Sequence, residues 1–422
     1  MSFTTTDFDA MLKDQYTPEK VRQLSYYENP AFGMTKKKRR GGRRYIQPVM
    51  FGHPGGTSAT FSKAKANQFN SKYEDFQITR AKQFQLVTLD NELYLSAQDD
   101  LDAFDPAFDE FDKGFRGLSQ KINRRLYRTA TGSIGRITAG SNTATATVEL
   151  VDHADAFNFE AGMKCVGSDT NAGAGALRSG ATTVEIQSVD YEAGTITATG
   201  NFTAGIALLA ASDYLFAEGD WNACPAGFES WLPVDNRATI LAASFFGVTR
   251  SAQPQRLGGI YMDGTTMGDL NEIVIKLVGR VVKHGGKPDL VLMNSEVLSD
   301  LQLLWNSRHF TYENVDVSIK ERVGEDVLIF SKIYSGMMAQ IGGRKVKLIG
   351  DQACPSTRMY AIGQECWTIW HSWELPGFIL KPATGEILRV PDDSDDVEGR
   401  VGGYFNPGCS APGWCGVAAL ST

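Results

Sequence analysis

The sequence predicts an α+β protein in which a long amphipathic helix is followed by a β-rich insertion and then by a mixed α/β half that returns through strands. Three observations carry this expectation. Leu101, Phe104, Phe108, Phe111, Phe115, Leu118, Ile122 and Leu126 recur at spacings of three and four, which places them along one stripe of a helix. Residues 143–217 hold five short alternating runs at nearly regular intervals in Gly-, Ala- and Thr-rich sequence, the pattern of a small β-barrel or sandwich. From residue 266 onward, helix caps alternate with buried-strand runs.

In chain order, residues 1–40 are polar and without a sustained period, and read as an N-terminal arm with at most a short helix at 18–24. At the arm's end Lys36-Lys37-Lys38-Arg39-Arg40-Gly41-Gly42-Arg43-Arg44 sets seven cations in nine positions beside glycines that oppose regular structure. A solvated or partner-neutralised segment is the expectation, with a nucleic-acid or localisation tag as the alternative. Residues 41–95 read as a long hairpin: one strand at 45–51, turn chemistry at 52–58, a polar stretch, and a long returning strand through 76–89. A two-stranded ribbon is marginal in water on its own, so a neighbour is expected to support it.

Residues 96–132 contain the long helix, with Asp105-Pro106 as cap and first turn and a regular part over 106–128, roughly 35 Å at 1.5 Å per residue. Acidic residues crowd its start and basic ones its end, which complements the helix dipole. Residues 133–222 form the insertion, with strands at 143–150, 163–166, 183–189, 195–199 and 214–217. In residues 223–350, a cap in Thr266-Met267-Gly268-Asp269 opens a helix stopped by Gly285-Gly286; a buried strand at 289–293 follows, then a helix capped by Asn294 or Ser295. Further strands are expected at 327–330, 346–349, 359–362 and 368–370, and within residues 351–422 the apolar run 414–420 closes a sheet.

The 422 residues carry a net charge of −7, with 42% hydrophobic and 22% charged residues, a globular composition. The acidic balance argues against a protein whose main work is coating nucleic acid. No apolar run approaches the roughly 18 residues of a membrane span, and the N-terminus lacks a secretory h-region, so residence in a cytosol and no membrane partner are expected. Six cysteines scattered over 250 positions read as reduced thiols.

Signatures of chemistry are missing: no P-loop, no H-E-x-x-H, no C-x-x-C, no G-x-S-x-G elbow. Cys409-x5-Cys415 matches no common metal or redox motif, so buried small side chains are expected. Trp367, Trp370 and Trp373 repeat without interleaved cations, which favours packing over base stacking. No catalytic residue, cofactor or metal is expected, and assembly is the function that remains. A hydrolase or carbohydrate-binding protein built around the β-rich middle is the alternative from another class.

Taken with Leu126-Tyr127-Arg128-Thr129-Ala130-Thr131-Gly132-Ser133-Ile134-Gly135, Phe159-Glu160-Ala161-Gly162-Met163 and Gly285-Gly286-Lys287-Pro288-Asp289-Leu290-Val291-Leu292-Met293-Asn294, this order of parts resembles the major capsid proteins of tailed bacteriophages with the Hong Kong 97-like fold. The resemblance covers nearly the whole chain. It implies that residues 41–95 are the E-loop, 96–132 the P-domain spine helix, 223–350 the A-domain and 351–422 the P-domain return. It further implies self-assembly into homo-hexamers and homo-pentamers forming a virion head around double-stranded DNA, bound non-specifically. Scaffolding, portal and decoration proteins are the further partners it suggests. Contacts between subunits are then expected at Arg43, Arg44, Phe51, Lys63 and Lys65. An encapsulin-like compartment enclosing protein cargo is the alternative within the same fold.

Overall fold

The computed structural model describes residues 29–89, 106–171, 175–308, 313–323, 327–380, 388–390 and 396–421. The arm helix expected at 18–24, and Leu101 and Phe104 of the helical stripe, lie outside them.

The long helix spans Pro106–Leu126. Phe115, Leu118, Ile122 and Leu126 are buried in the central core, so the stripe faces inward as its period requires. Regular structure ends two residues earlier than expected, because Tyr127 and Arg128 donate their amides three residues back in a tighter final turn.

Two sheets enclose that core. The first has Val397–Cys409 at its centre, paired antiparallel with Trp367–His371, Gly377–Phe378, Leu388–Arg389 and Ala81–Leu89. The second has seven strands in the order Ile260–Asp263, Gly416–Ala419, Arg358–Ile362, Leu290–Met293, Arg344–Gly350, Val327–Ile341, Glu313–Val323. It therefore draws strands from both sides of residue 350, and the C-terminal run lies inside the sheet.

Leu290-Val291-Leu292-Met293 is uninterruptedly apolar because both faces of its strand are covered. Leu290 and Leu292 point into the central core, while Val291 and Met293 point to the helices Leu270–Lys283 and Ser295–Ser307. Those helices begin where the caps predict. Asp269 accepts from the Asn271 amide at 3.0 Å and Asn294 from the Glu296 amide at 2.9 Å.

Sequence reasoning missed the strand Glu313–Val323 and the full length of Val327–Ile341, which pair antiparallel as a long hairpin. The alternation Val315-Asp316-Val317-Ser318-Ile319 was the available signal.

The insertion holds the five expected strands, the first shortened to Thr147–Glu149, and a sixth, Ser133–Arg136. They run in the order Ser133–Arg136, Tyr214–Ala217, Lys164–Ser168, Val184–Asp190, Thr195–Ala198, Thr147–Glu149. A bridge between Ile137 and Leu150 joins the two ends, so the unit closes as a barrel. Its core, including Ile137, Phe159, Ile186, Ile196, Phe202 and Leu215, is separate from the other two.

Two expectations need correction. The returning strand of the hairpin is two strands: Lys72–Ile78 pairs with Tyr45–Gly52, while Ala81–Leu89 leaves it to join the first sheet. The ribbon also finds support within its own chain, since Tyr45, Val49, Phe76 and Ile78 are buried in the central core, with Phe76 5.0 Å from the Trp231 ring. Local pattern could not reveal a partner about 155 positions away. The basic run is the second correction: Lys36–Arg39 is a strand, parallel to Trp367–His371, despite its neighbouring glycines.

Candidate functional site

A buried network fixes the chain where the arm enters the fold. In the short helix Pro30–Met34, the Ala31 amide donates to Asp351 Oδ2 at 3.3 Å and the Phe32 amide to Asn123 Oδ1 at 2.8 Å. Asn123 Nδ2 donates to both Asp351 oxygens at 3.1 and 3.0 Å, and the Tyr127 hydroxyl donates to Oδ2 at 2.8 Å. Burial raises the Asp351 pKa, and the hydrogen bonds from Asn123, Tyr127, Ala353 and Ala31 act against that rise. One carboxylate thus joins the arm, the long helix and the second sheet. No sequence motif announces it, because Ala31, Asn123 and Tyr127 lie more than two hundred positions away.

The residues expected at subunit contacts are spread along the ribbon. Arg43 and Arg44 are exposed at its base, where Arg44 Nη1 donates to Gln77. Phe51 is half-buried and its carbonyl accepts from Arg256. Lys63 and Lys65 are exposed on a small helix, Phe61–Ala66, at the tip.

Sequence reasoning missed the ribbon's outer face. Ile46, Met50 and Tyr73 are exposed there, with Met50 opposite Tyr73 in register, and Phe61 and Phe69 are exposed at the tip. Strand parity was the available signal: odd positions in 45–49 turn inward, which leaves Ile46 and Met50 outside. Phe61 is 85% exposed and Ile46 63%, which makes this an apolar surface without cover among the described residues.

The basic strand lies against the tryptophan run, so the tertiary structure supplies the cations that the run itself lacks. Lys38 Nζ and the Arg40 guanidinium each lie 5.8 Å from the Trp370 ring centre, and Arg39 lies 4.8 Å from Trp373. Trp370 also stacks on Tyr45 at 5.3 Å. Trp367 is core, packed edge-on to Phe228.

Between the long helix and the insertion lies a cleft of about 530 Å³, lined by Lys121, Arg124, Arg125, Arg128, Glu160 and Asp220 among others. Two of its charge pairs are Arg125 with Asp220 and Arg124 with Glu160 at 3.9 Å, while Lys121 donates to the neutral Gln85 amide oxygen at 2.8 Å. Arg128 binds Asp155 beside it, and burial pushes the Asp155 carboxyl up to about 7 against the pull of that guanidinium. The arrangement joins two units through ion pairs.

Cys366, Cys409 and Cys415 are buried close to one another, a convergence that sequence spacing did not show. Trp367 Nε1 points at Cys415 Sγ, 3.3 Å away. Among the described residues, no group of three or more His, Cys, Asp or Glu side chains is arranged to hold a metal ion, and no helix is long and apolar enough to cross a membrane.

Comparison with solved structures finds the same fold in a phage capsid chain. The chain shares its fold with a chain of the cyanophage A-1(L) capsid, at a TM-score of 0.52 and 13% identity over 97% of each chain. Similar structures include the capsid of a native GTA particle (TM-score 0.46, 11% identity, 100% of each chain) and the SrpI encapsulin of Synechococcus elongatus PCC 7942 (0.47, 9%, 99% of this chain and 96% of that one). No family model matches the chain, and no curated protein does. At 13% identity the likeness to the cyanophage chain is one of fold, and it is the phage capsid fold that the order of sequence elements led us to expect.

Proposed function

We propose that this chain is the major shell subunit of an icosahedral phage head, self-assembling as hexamers and pentamers around double-stranded DNA. The observation that carries the reading is the ribbon: its inner face is anchored in the subunit, while Ile46, Met50, Tyr73, Phe61 and Phe69 present apolar surface along its outer face and tip. A chain with a capsid fold gains most by burying that surface on another copy of itself. In this reading the ribbon within residues 41–95 acts as the E-loop, the long helix belongs to the P-domain, and residues 223–350 give most of the A-domain, whose sheet also takes two strands from 351–422. Arg43, Arg44, Phe51, Lys63 and Lys65 fall at or near contacts between copies. The activity is assembly, with no reaction catalysed, and the subunit's place is the virion.

Electron microscopy of the expressed chain is the test. Closed shells or capsomers are expected, and particles that retain nucleic acid separate a phage head from a compartment for protein cargo. A chain that stays monomeric under every condition overturns the proposal. The triple substitution Ile46→Ser, Met50→Ser and Tyr73→Ser is expected to leave the circular dichroism spectrum unchanged and to reduce particle yield at least about tenfold, the effect of about 1.4 kcal/mol per contact.

A further inference from the structure

We propose that the edge strand Lys36–Arg39, continued by Arg40, Arg43 and Arg44, is a docking strip for the phosphate backbone of duplex DNA. This deepens the shell-subunit reading and rests on it for the source of the DNA.

Four observations converge on the strip. It reverses the sign of an acidic chain, with seven cations in nine positions, and all but the half-buried Lys37 are exposed. Apart from Lys37, its cations are positioned without a carboxylate partner among the described residues. Lys38, Arg39 and Arg40 stand over tryptophan rings, and among the described residues no carboxylate lies within ion-pair distance of Lys36, Lys38, Arg39, Arg40, Arg43 or Arg44. A ring holds a cation in place and leaves its charge to act outward.

The spacing also fits. An extended strand advances about 3.3 Å per residue with successive side chains on opposite faces, so same-face cations such as Lys38 and Arg40 recur about every 6.6 Å, close to two phosphate steps of about 3.4 Å along the axis of one DNA strand. Above Gly41 and Gly42 there is open space where a side chain would stand, so a phosphate oxygen can reach the main chain there.

Among the described residues the strip is an open edge without a concave cradle, and the Gln77 side-chain amide beside it is engaged by Arg44. It therefore fits backbone contact without sequence preference. A second protein's acidic segment is the competing occupant; the linear period and the open glycines favour a polyphosphate.

The test is fluorescence anisotropy of the purified full chain with a random-sequence duplex across a salt series. Each neutralised phosphate contributes about 0.9 to the slope of log affinity against log salt, so Lys36→Gln, Lys38→Gln, Arg39→Gln and Arg40→Gln together are expected to flatten the slope by about 3–4. Arg43→Gln with Arg44→Gln lies outside the strand, leaves the sheet pairing untouched, and is expected to flatten it by about 2. Lys283→Gln with Lys287→Gln, exposed on the α/β half and outside the strip, is expected to leave the slope unchanged.

A wild-type chain that ignores duplex DNA overturns the proposal, as do strip variants with an unaltered slope. So does strip-dependent binding of polyglutamate in place of DNA, which would assign the strip to an acidic protein segment. Electron microscopy of the same samples separates this from the shell reading. Wild-type chains that bind DNA through the strip but never assemble would sink the shell reading and leave the strip standing.

Discussion

Asp351 shows how much of this fold depends on single buried groups. Its carboxylate accepts from the Ala31 amide, Asn123 Nδ2, the Tyr127 hydroxyl and the Ala353 amide, and its removal strands all of these donors away from water. Asp351→Ala is expected to cost at least about 1–3 kcal/mol in a urea titration, the scale for leaving a buried neutral donor unsatisfied; a loss under about 1 kcal/mol would mean that water replaces the carboxylate. Asp155 makes a prediction about pH. Burial raises its carboxyl to about 7, above the ordinary carboxylate value, so its contribution to stability is fullest below that ordinary value, declines as pH rises toward 7, and is flat beyond. Relative to wild type, the melting temperature of Asp155→Asn is therefore expected to climb between pH 4 and 7 and then level off. The opposite slope would show that Arg128 wins over burial.

At the scale of elements, the end of the long helix is set by what packs beneath it. Gly227 lies under the last turn, where a Cβ would stand 2.3, 2.4 and 2.6 Å from the carbonyl oxygens of Leu126, Arg125 and Arg128. Backbone cannot yield as a side chain can, so Gly227→Ala is expected to cost about 3 kcal/mol, at the upper end for overpacking. Gly117, within the same helix, has open space where a Cβ would go. Gly117→Ala is expected to gain about 0.5–1 kcal/mol from backbone entropy alone. Equal effects from the two substitutions in denaturant unfolding would contradict this packing account. The ribbon follows the same logic from the other side: its inner face is settled by contacts within the subunit, so substitutions on its outer face report on contacts elsewhere.

For the whole molecule, the barrel is the separable part. The chain enters and leaves it where Arg136 pairs with Tyr214, and its core is its own. Its links to the body are polar: Arg125 to Asp220, Arg128 to Asp155, and Asp152 accepting from the Ser356 amide at 2.9 Å and hydroxyl at 2.7 Å. Replacing residues 137–213 by a short turn is expected to leave a body that unfolds cooperatively, with a midpoint shifted by no more than a few degrees in calorimetry, on the order of 1 kcal/mol. A body that fails to fold would show that those ion pairs organise the helix end.

The capsid fold, the long helix, the caps at Asp269 and Asn294 and the β-rich insertion were legible in the residues, because apolar period and capping chemistry act between near neighbours. What depended on distant partners was not. The ribbon's support came from Trp231, the sheet for the basic run from Trp367–His371, and the cations for the tryptophans from that same run. Periodicity states which face of an element must be covered; only the tertiary structure decides what covers it, since burial and charge are set by whatever the fold brings within a few ångströms.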